Sequence, residues 1–385
     1  MHEQFTAQEQ HLIATARQFA QTHIRPHAAT WERERRFPKD LHKLAGKQGL
    51  TLALLPPEHG GPGIGALAAA RIAEELAAGC LSFALPLVAH NYVAWSIAMK
   101  GTPQQQARYL PPMLKGELMG NFSLTEPGAG SDAAAISTVA RKTAKGWALT
   151  GRKAWNTLGP EADFFIVYAQ TEPGSGAKGI SLFLVNGDAP GLEREPAYDL
   201  IGGHAMRLAG LRLTDTPVPA ANLLVGPGEG LKFALYAIDY ARAYVASMVC
   251  GMLRSGLEEA LTYVAARPAF GRHVADFQGV QWMLADVATN LEAARLLADH
   301  SIAALQRNDG TGTVAAAHAK KFATRVALEG LATCMQVMGA NGMKAEYSVG
   351  RHFACAKMAQ FLDGTTEVQN VVISRAMLKP YGIRA

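Results

Sequence analysis

The chain has 385 residues, of which 49% are hydrophobic and 18% are charged. This balance is ordinary for a folded globular protein and excludes general disorder, and the length requires two or three cooperating layers or domains. The formal net charge of +5 is mild and scattered. It is compatible with an anionic ligand, but it lacks the basic runs that would predict nucleic acid as a partner.

Metal and membrane signals are missing from the sequence. The four cysteines have no CxxC spacing and no paired histidines, so they predict reduced, buried thiols and no metal site: Cys80, Cys250, Cys334 and Cys355. The N-terminus, MHEQFTAQEQ, has no basic segment followed by an apolar one, and the apolar runs fall short of ~18 residues. We therefore expect no signal peptide, no transmembrane helix and no membrane partner, and a cytoplasmic location.

The apolar pattern changes twice along the chain. Residues 1–118 and 229–385 show three- and four-residue apolar spacing that is typical of helices. Between them, residues 119–228 have short apolar runs separated by Pro and Gly turns, which predict a small β barrel or sandwich. The expected fold class is α+β, with a helical N-terminal domain, a β domain and a C-terminal helical bundle. The longest helices are predicted over 233–266, 281–305 and 314–338.

A glycine-rich stretch in the first region imitates a dinucleotide-binding site. Gly63, Gly65 and Ala68 match the G-x-G-x-x-A fingerprint. A Rossmann site needs a strand leading tightly into the glycines and repeated βα units after them, whereas residues 56–59 intervene and no such units follow. We interpret the stretch as a loop that begins a helix over 66–78.

A second glycine-rich stretch, LTEPGAGSD at residues 124–132, follows a predicted strand. A Pro-Gly turn with further glycines leaves backbone N–H groups and hydroxyls free to face a ligand. A simple β-turn is the alternative interpretation of the turn taken alone.

This string closely resembles the flavin-binding loop of acyl-CoA dehydrogenases. Four further motifs of that family follow in order: KAWNT at 153–157, RPAFG and FQ at 267–278, QVMGANG at 336–342 and DGTTEVQ at 363–369. The resemblance covers nearly the whole chain and implies the family fold, in which the C-terminal domain is a four-helix bundle. It also implies FAD as the cofactor, an acyl-CoA substrate, an electron-transfer flavoprotein as the electron acceptor, and a homo-oligomer, either a dimer or a tetramer.

The resemblance also implies the residues that contact cofactor and substrate. Those expected along the isoalloxazine and ribityl portions are Leu124, Thr125, Ser131, Trp155 and Thr157. Those expected to hold the pyrophosphate and adenine of a neighbouring subunit's FAD are Arg267, Phe270 and Gln278. Those expected to line the rest of the dinucleotide are Gln336, Gly339, Gly364 and Thr365. Ser131 and Arg242 are expected to contact the acyl-CoA substrate.

The expected catalytic base is Asp363, where the family usually has Glu. A general base must come within ~3 Å of the proton it removes, so a side chain shorter by one methylene changes the substrate position or the reaction. Some relatives carry the base on a bundle helix instead, but the matching residue here is Ala241. Locally, Thr366 and Gln369 predict a capping box that begins the last helix.

Departures from the family pattern leave alternatives open. Leu362 stands where an aromatic residue is common, and its smaller volume predicts room for a bulky or cyclic acyl group. The Asp substitution keeps three other flavoenzyme functions open: dehydrogenation of a carrier-protein thioester, desulfination and monooxygenation. A non-catalytic homologue with the same fold is the remaining alternative.

Overall fold

The computed structural model describes residues 5–383. Residues 1–4 and 384–385 lie outside the described residues. The start of the predicted N-terminal domain, and of the segment expected to lack a signal peptide, therefore falls outside them. The first region is helical, as predicted. Its helices are α1 (Ala7–Phe19), α2 (Ala28–Glu34), α3 (Lys39–Lys47), α4 (Ala66–Gly79), α5 (Leu81–Lys100) and α6 (Pro103–Leu114).

Helix α5 lies in the core of the protein. By length and composition alone, this helix of 20 residues could cross a membrane. However, 89% of its most apolar stretch is buried inside the protein. Two of the polar residues that interrupt the apolar sequence bond to the helix backbone: the Asn91 side chain donates to Leu87 O at 2.9 Å and the Ser96 hydroxyl donates to Tyr92 O at 2.7 Å. Such burial is typical of a core helix.

The second region forms one eight-stranded mixed sheet within the described residues. Its strands are β1 (Gly120–Ser123), β2 (Val139–Thr143), β3 (Gly146–Asn156), β4 (Phe164–Gln170), β5 (Ile180–Asn186), β6 (Leu192–Ala197), β7 (Ala209–Pro219) and β8 (Leu223–Val225). They run in the order β6-β7-β3-β2-β4-β5-β8, and β1 pairs in parallel with β4. Strand β4 is buried on both faces. Alternate residues face α5 and α6 on one side and a separate core on the other, because successive side chains of a strand point to opposite faces.

The third region is helical again. It contains α7 (Gly230–Ala266), a short hairpin of β9 (Pro268–Ala269) and β10 (Arg272–His273), and then α8 (Gln278–Arg307), α9 (Gly312–Met338), α10 (Val349–Ala359) and α11 (Thr366–Leu378). Helices α7, α8 and α9 pack on one another, and α7 also packs on α4. The approach to α4 is so close that a Cβ at Gly251 would lie 2.1 Å from Glu74 O. The N-terminal and C-terminal helices therefore share one hydrophobic core.

The α+β fold class with a central β region is confirmed. The residues before the G-x-G-x-x-A stretch form turns, bends and a 3-10 helix (Pro57–His59) rather than a strand, and Gly65 is the N-cap of α4, as expected for a loop that begins a helix. The four cysteines are free and buried. Among residues 5–383 there is no cluster of three His, Cys, Asp or Glu side chains suited to a metal ion. The domain boundaries at 118 and 228 stay predictions.

Candidate functional site

A cavity of about 790 Å³ lies where the three regions meet. Its walls come from α5, from the loop after β1, from the end of β3, from α7 and from the segment between α10 and α11. Nine of the fourteen residues predicted to serve as base or to contact cofactor or substrate line it: Leu124, Thr125, Ser131, Trp155, Thr157, Arg242, Asp363, Gly364 and Thr365.

The loop at residues 124–132, here called the glycine loop, is fastened by a buried ion pair. Lys153 Nζ donates to Glu126 Oε1 at 2.7 Å and to Leu124 O at 3.1 Å. Glu126 also accepts hydrogen bonds from the backbone N–H groups of Ser137 at 2.6 Å and Thr138 at 3.0 Å. The Lys153 side chain is 0% exposed and the Glu126 side chain is 2% exposed. The loop is thereby tied to β3 and to the segment that leads into β2.

The pKa values of this pair reflect both burial and mutual attraction. Burial opposes the charged form of Glu126, but Lys153 and the hydrogen-bond donors outweigh it and lower the pKa to about 2. Burial lowers the pKa of Lys153 to about 8, against the raising effect of Glu126. Both groups are therefore charged at neutral pH.

The glycine loop and the end of β3 present an open surface to the cavity. A Cβ at Gly128 or Gly130 would meet no atom within 4 Å. Trp155 has a left-handed backbone with φ 59 and a 57% exposed side chain. Since an indole is large and mostly apolar, such exposure in a strained conformation favours contact with a ligand or partner. The loop and strand are held together by the Ala154 N–H, which donates to Thr125 O at 2.9 Å.

Residues 360–365, here called the carboxylate turn, carry Asp363 between α10 and α11. Its backbone is left-handed at Asp363, with φ 51, and at Gly364, with φ 96. Arg242 Nε donates to Asp363 O at 3.0 Å, while Lys320 Nζ and Gln369 Nε2 donate to Gly364 O at 2.6 and 2.9 Å. Three side chains from α7, α9 and α11 thus fix the two carbonyl groups of a strained turn. Asp363 is mounted rigidly on the cavity wall.

Burial and neighbouring charges shift the pKa of the Asp363 carboxyl group. Burial raises its pKa above the ordinary aspartate value, and the nearby cations of Lys320 and Arg242 oppose that rise. Arg242 is itself paired, because Nη1 donates to Asp239 Oδ1 at 2.8 Å. Ala241, also on the cavity wall, offers no ionisable group.

The predicted capping box at the start of α11 is wrong, because the N-cap lies one residue earlier and no box forms. Thr365, not Thr366, is the N-cap, and its hydroxyl accepts from the Val368 N–H at 3.4 Å. Thr366 is already helical, and Gln369 turns back to the carboxylate turn instead of completing a box.

The other five of the fourteen predicted site residues lie outside this cavity. They are exposed on the single chain, at the end of α7, the β9–β10 hairpin, the start of α8 and the end of α9: Arg267, Phe270, Gln278, Gln336 and Gly339. Phe270 is 95% exposed with φ 53. The Asn341 side chain donates to Tyr263 Oη at 2.6 Å, which ties the turn after α9 to the end of α7.

Sequence inspection missed three residues that shape the site. Lys320, Glu126 and Tyr92 were given no role, although Glu126 belongs to the glycine loop. The available signal for Lys320 was a charged residue on the alanine-rich apolar face of α9, between Ala316 and Ala323, where a partner is required.

Comparisons with known proteins follow the same three regions. Family models described as Acyl-CoA dehydrogenase N-terminal, middle and C-terminal domains match residues 6–117, 121–216 and 228–378. The mitochondrial short-chain specific acyl-CoA dehydrogenase of Bos taurus is 36% identical over 373 residues, 97% of this chain and 90% of its own. The cyclohex-1-ene-1-carbonyl-CoA dehydrogenase of Syntrophus aciditrophicus (strain SB) is 34% identical over 386 residues, 98% of this chain and 91% of its own. The structure of butyryl-CoA dehydrogenase from Megasphaera elsdenii has a TM-score of 0.94 at 33% identity, covering 98% of this chain and 100% of that one.

Proposed function

The chain belongs to the acyl-CoA dehydrogenase family of FAD-dependent oxidoreductases, and from that premise we propose that it dehydrogenates an acyl-CoA thioester between Cα and Cβ, with Asp363 as the base. One observation carries the choice of base. Among the described residues, the acidic side chains that line the cavity are Glu126 and Asp363. Glu126 is bound to Lys153 and has a pKa of about 2, so it is a poor proton acceptor. Burial raises the pKa of Asp363, which suits a base that works near neutral pH.

The residues around the cavity fit an FAD cofactor. The glycine loop faces open space at Gly128 and Gly130, and the hydroxyl-bearing residues Thr125, Ser131 and Thr157 line the cavity. Together with Leu124 and Trp155, these hydroxyl-bearing residues would hold the isoalloxazine and ribityl portions. When bound, FAD supplies the redox chemistry by accepting the hydride that leaves Cβ.

The protein residues handle the proton and the developing charge. The Asp363 carboxylate removes the proton from Cα, and the electron pair of that C–H bond forms the new Cα–Cβ double bond as hydride leaves Cβ. By family resemblance, the Asp363 N–H donates to the thioester carbonyl and stabilises the enolate character that develops there. Lys320 and Arg242 hold the turn through its carbonyl groups, so the carboxylate and this N–H keep a fixed relation.

The acyl group would lie among apolar side chains that exclude water. Helices α5 and α7 contribute these walls, and Leu362 adds a side chain smaller than the aromatic residue common in the family. We infer that a bulky or cyclic acyl group is accepted. The name of the Syntrophus relative, whose thioester carries a six-membered ring, supports this inference.

Assembly and electron transfer complete the proposal. The exposed residues Arg267, Phe270 and Gln278 would hold the pyrophosphate and adenine of a neighbouring subunit's FAD, which requires at least a dimer. The exposed residues Gln336 and Gly339 would line the rest of the dinucleotide. Arg267 has the fixed charge and forked donors that suit a pyrophosphate. Electrons would leave to an electron-transfer flavoprotein, and the cytoplasmic location stays a prediction.

Anaerobic titration of the FAD-loaded protein with cyclic and straight-chain acyl-CoA thioesters tests this function. Loss of the oxidised flavin absorbance with formation of the enoyl thioester is the expected result, and cyclic thioesters should give the higher kcat/KM. A clear straight-chain preference would defeat the inference about bulky groups. Product formation without flavin bleaching would favour a non-redox elimination, and a colourless protein that takes up no FAD would favour a non-catalytic homologue.

A further inference from the structure

The chain leaves the regular sheet at the end of β3, where it reaches the cavity. Trp155 and Leu158 have left-handed backbones, with φ 59 and φ 53. The pairing of β3 with β7 also shifts in register between Lys153 and Asn156. Thr157 follows directly and lines the cavity. Because the ladder of the sheet is disrupted here, other groups must fix the position of Thr157.

Two buried asparagine side chains hold this irregular stretch. Asn156 Nδ2 donates to Ala209 O in β7 at 3.0 Å. Asn121 Nδ2, which comes from β1, donates to Thr157 O. The orientation of the Asn121 amide follows from its two neighbours, because Oδ1 accepts from the Phe122 N–H at 2.5 Å while Nδ2 meets a carbonyl. Asn121 therefore fixes the Thr157 carbonyl with the only end of its amide that can donate.

The bond from Asn121 leaves the side chain of Thr157 free for a ligand. The Thr157 carbonyl is engaged, whereas its hydroxyl makes no hydrogen bond to any of residues 5–383. Thr157 is half-buried and is among the residues proposed to hold the isoalloxazine. A hydrogen bond weakens steeply when its angle departs from linearity, so this hydroxyl can serve the flavin only while its backbone is held in place.

We propose that Asn121 is a positioning residue for the flavin and that it acts through Thr157. Its amide holds the Thr157 carbonyl, and the hydroxyl of the same residue is thereby aimed at the isoalloxazine. The inference rests on the proposed contact of Thr157 with the flavin and does not depend on the dehydrogenation of a thioester. Asn121 has no role in the sequence prediction, because it lies 36 residues along the chain from the group that it holds.

A double-mutant cycle tests this route. Asn121→Ala removes the amide, Thr157→Val replaces the hydroxyl with a methyl group, and the two changes are then combined. Serial dilution of the FAD-loaded protein, followed by the fluorescence of released FAD, gives the dissociation constant of each variant. Asn222→Ala is the matched control, since Asn222 is also buried and donates to Leu184 O at 2.9 Å but does not line the cavity.

The expected result is that the two single changes do not add. Asn121→Ala and Thr157→Val should each raise the dissociation constant of FAD about tenfold, the effect of one hydrogen bond of ~1.4 kcal/mol. The double variant should bind FAD no more weakly than Thr157→Val, because both changes remove the same contact. The absorbance maximum of the flavin that stays bound should shift alike in both single variants, which a general loss of stability does not produce. Asn222→Ala should keep the wild-type affinity and spectrum.

Four results would overturn the proposal. Three of them are wild-type FAD affinity in Asn121→Ala, wild-type affinity in Thr157→Val, and an equal loss in Asn222→Ala. The fourth is a double variant that binds FAD about a hundredfold more weakly than the wild type, since independent effects multiply. If Asn121→Ala does not fold, Asn121→Leu takes its place in the cycle, because it keeps the branched shape without a hydrogen-bonding atom. Flavin bleaching by acyl-CoA tests dehydrogenation separately, so failure of that reaction leaves the FAD affinities to decide the role of Asn121.

Discussion

Replacing Lys153 with Met removes the cation that holds the glycine loop and leaves Glu126 buried without its charged partner. Both side chains are almost fully buried, with Nζ and Oε1 2.7 Å apart. Breaking a buried pair in this way costs about 3–5 kcal/mol, because the remaining charge is uncompensated. With an unfolding entropy near 2.1 cal/mol/K per residue, roughly 0.8 kcal/mol/K for the whole chain, the melting temperature should fall by about 4–6 °C.

The pH dependence gives the same prediction a second readout. The pKa of Glu126 is about 2 in the folded protein and 4.5 in an ordinary glutamate, so its pairing stabilises the fold above pH 4.5. This contribution is lost as the pH falls from 4.5 towards 2. The melting-temperature difference between wild type and Lys153→Met should therefore shrink over that interval, and FAD should dissociate more readily from the variant at pH 7.

The neighbouring Arg152 supplies the control and the refutation. Its side chain is 53% exposed and pairs with Glu195 at 2.6 Å. An exposed pair of this kind contributes about 0–1 kcal/mol, so Arg152→Met should melt close to wild type. Differential scanning calorimetry and flavin absorbance after gel filtration measure both effects. Equal melting temperatures and equal FAD content in the two variants would refute the structural role of the Lys153–Glu126 pair.

Two further variants test the carboxylate turn and the exposed residues that are proposed to hold a neighbouring subunit's FAD. Lys320→Met removes a donor to Gly364 O and a cation that lowers the pKa of Asp363, so the acidic limb of the kcat/KM profile should move to higher pH and kcat should fall. An unmoved limb, or an equal shift in the neighbouring Lys321→Met, would contradict that role. Phe270→Ala should change the free energy of unfolding of the chain by less than ~0.5 kcal/mol, because the ring is 95% exposed. FAD content and subunit association, measured by absorbance and sedimentation velocity, should fall; wild-type values of both would disprove a role in a neighbouring subunit's cofactor site.

The fold was predictable where burial leaves a strong pattern. Strand β4 belongs to the predicted β region and carries a strong pattern, because both of its faces are buried and its first six residues, FFIVYA, form one apolar run. Strands β2 and β6 carry no such pattern, because VARKT and LEREPA have exposed or half-exposed polar residues and show no apolar run. The long helices were found because their apolar spacing persists over many turns.

The site was predictable only as far as its motifs are local. The glycine loop and the carboxylate turn are continuous in sequence, and residues of both meet at one cavity. Lys320 reaches the turn across 44 residues, through the packing of α9 against α11, and no local pattern reveals such a contact. The capping error at Thr365 has a different cause. Two adjacent threonines offer equivalent hydroxyl groups, and the backbone conformation, extended at Thr365 and helical from Thr366, decides which one is the N-cap.

Anaerobic stopped-flow reduction of the bound flavin by an acyl-CoA substrate, in wild type and Asp363→Asn, tests the assignment of the base most directly. Asn has nearly the same shape as Asp but accepts no proton at neutral pH, so folding, FAD content and thioester binding should persist. The first-order rate of flavin reduction should fall by about 10²–10⁴-fold, the range for loss of a general base. A rate in Asp363→Asn equal to that of the wild type, with FAD fully bound in both, would show that another group removes the proton.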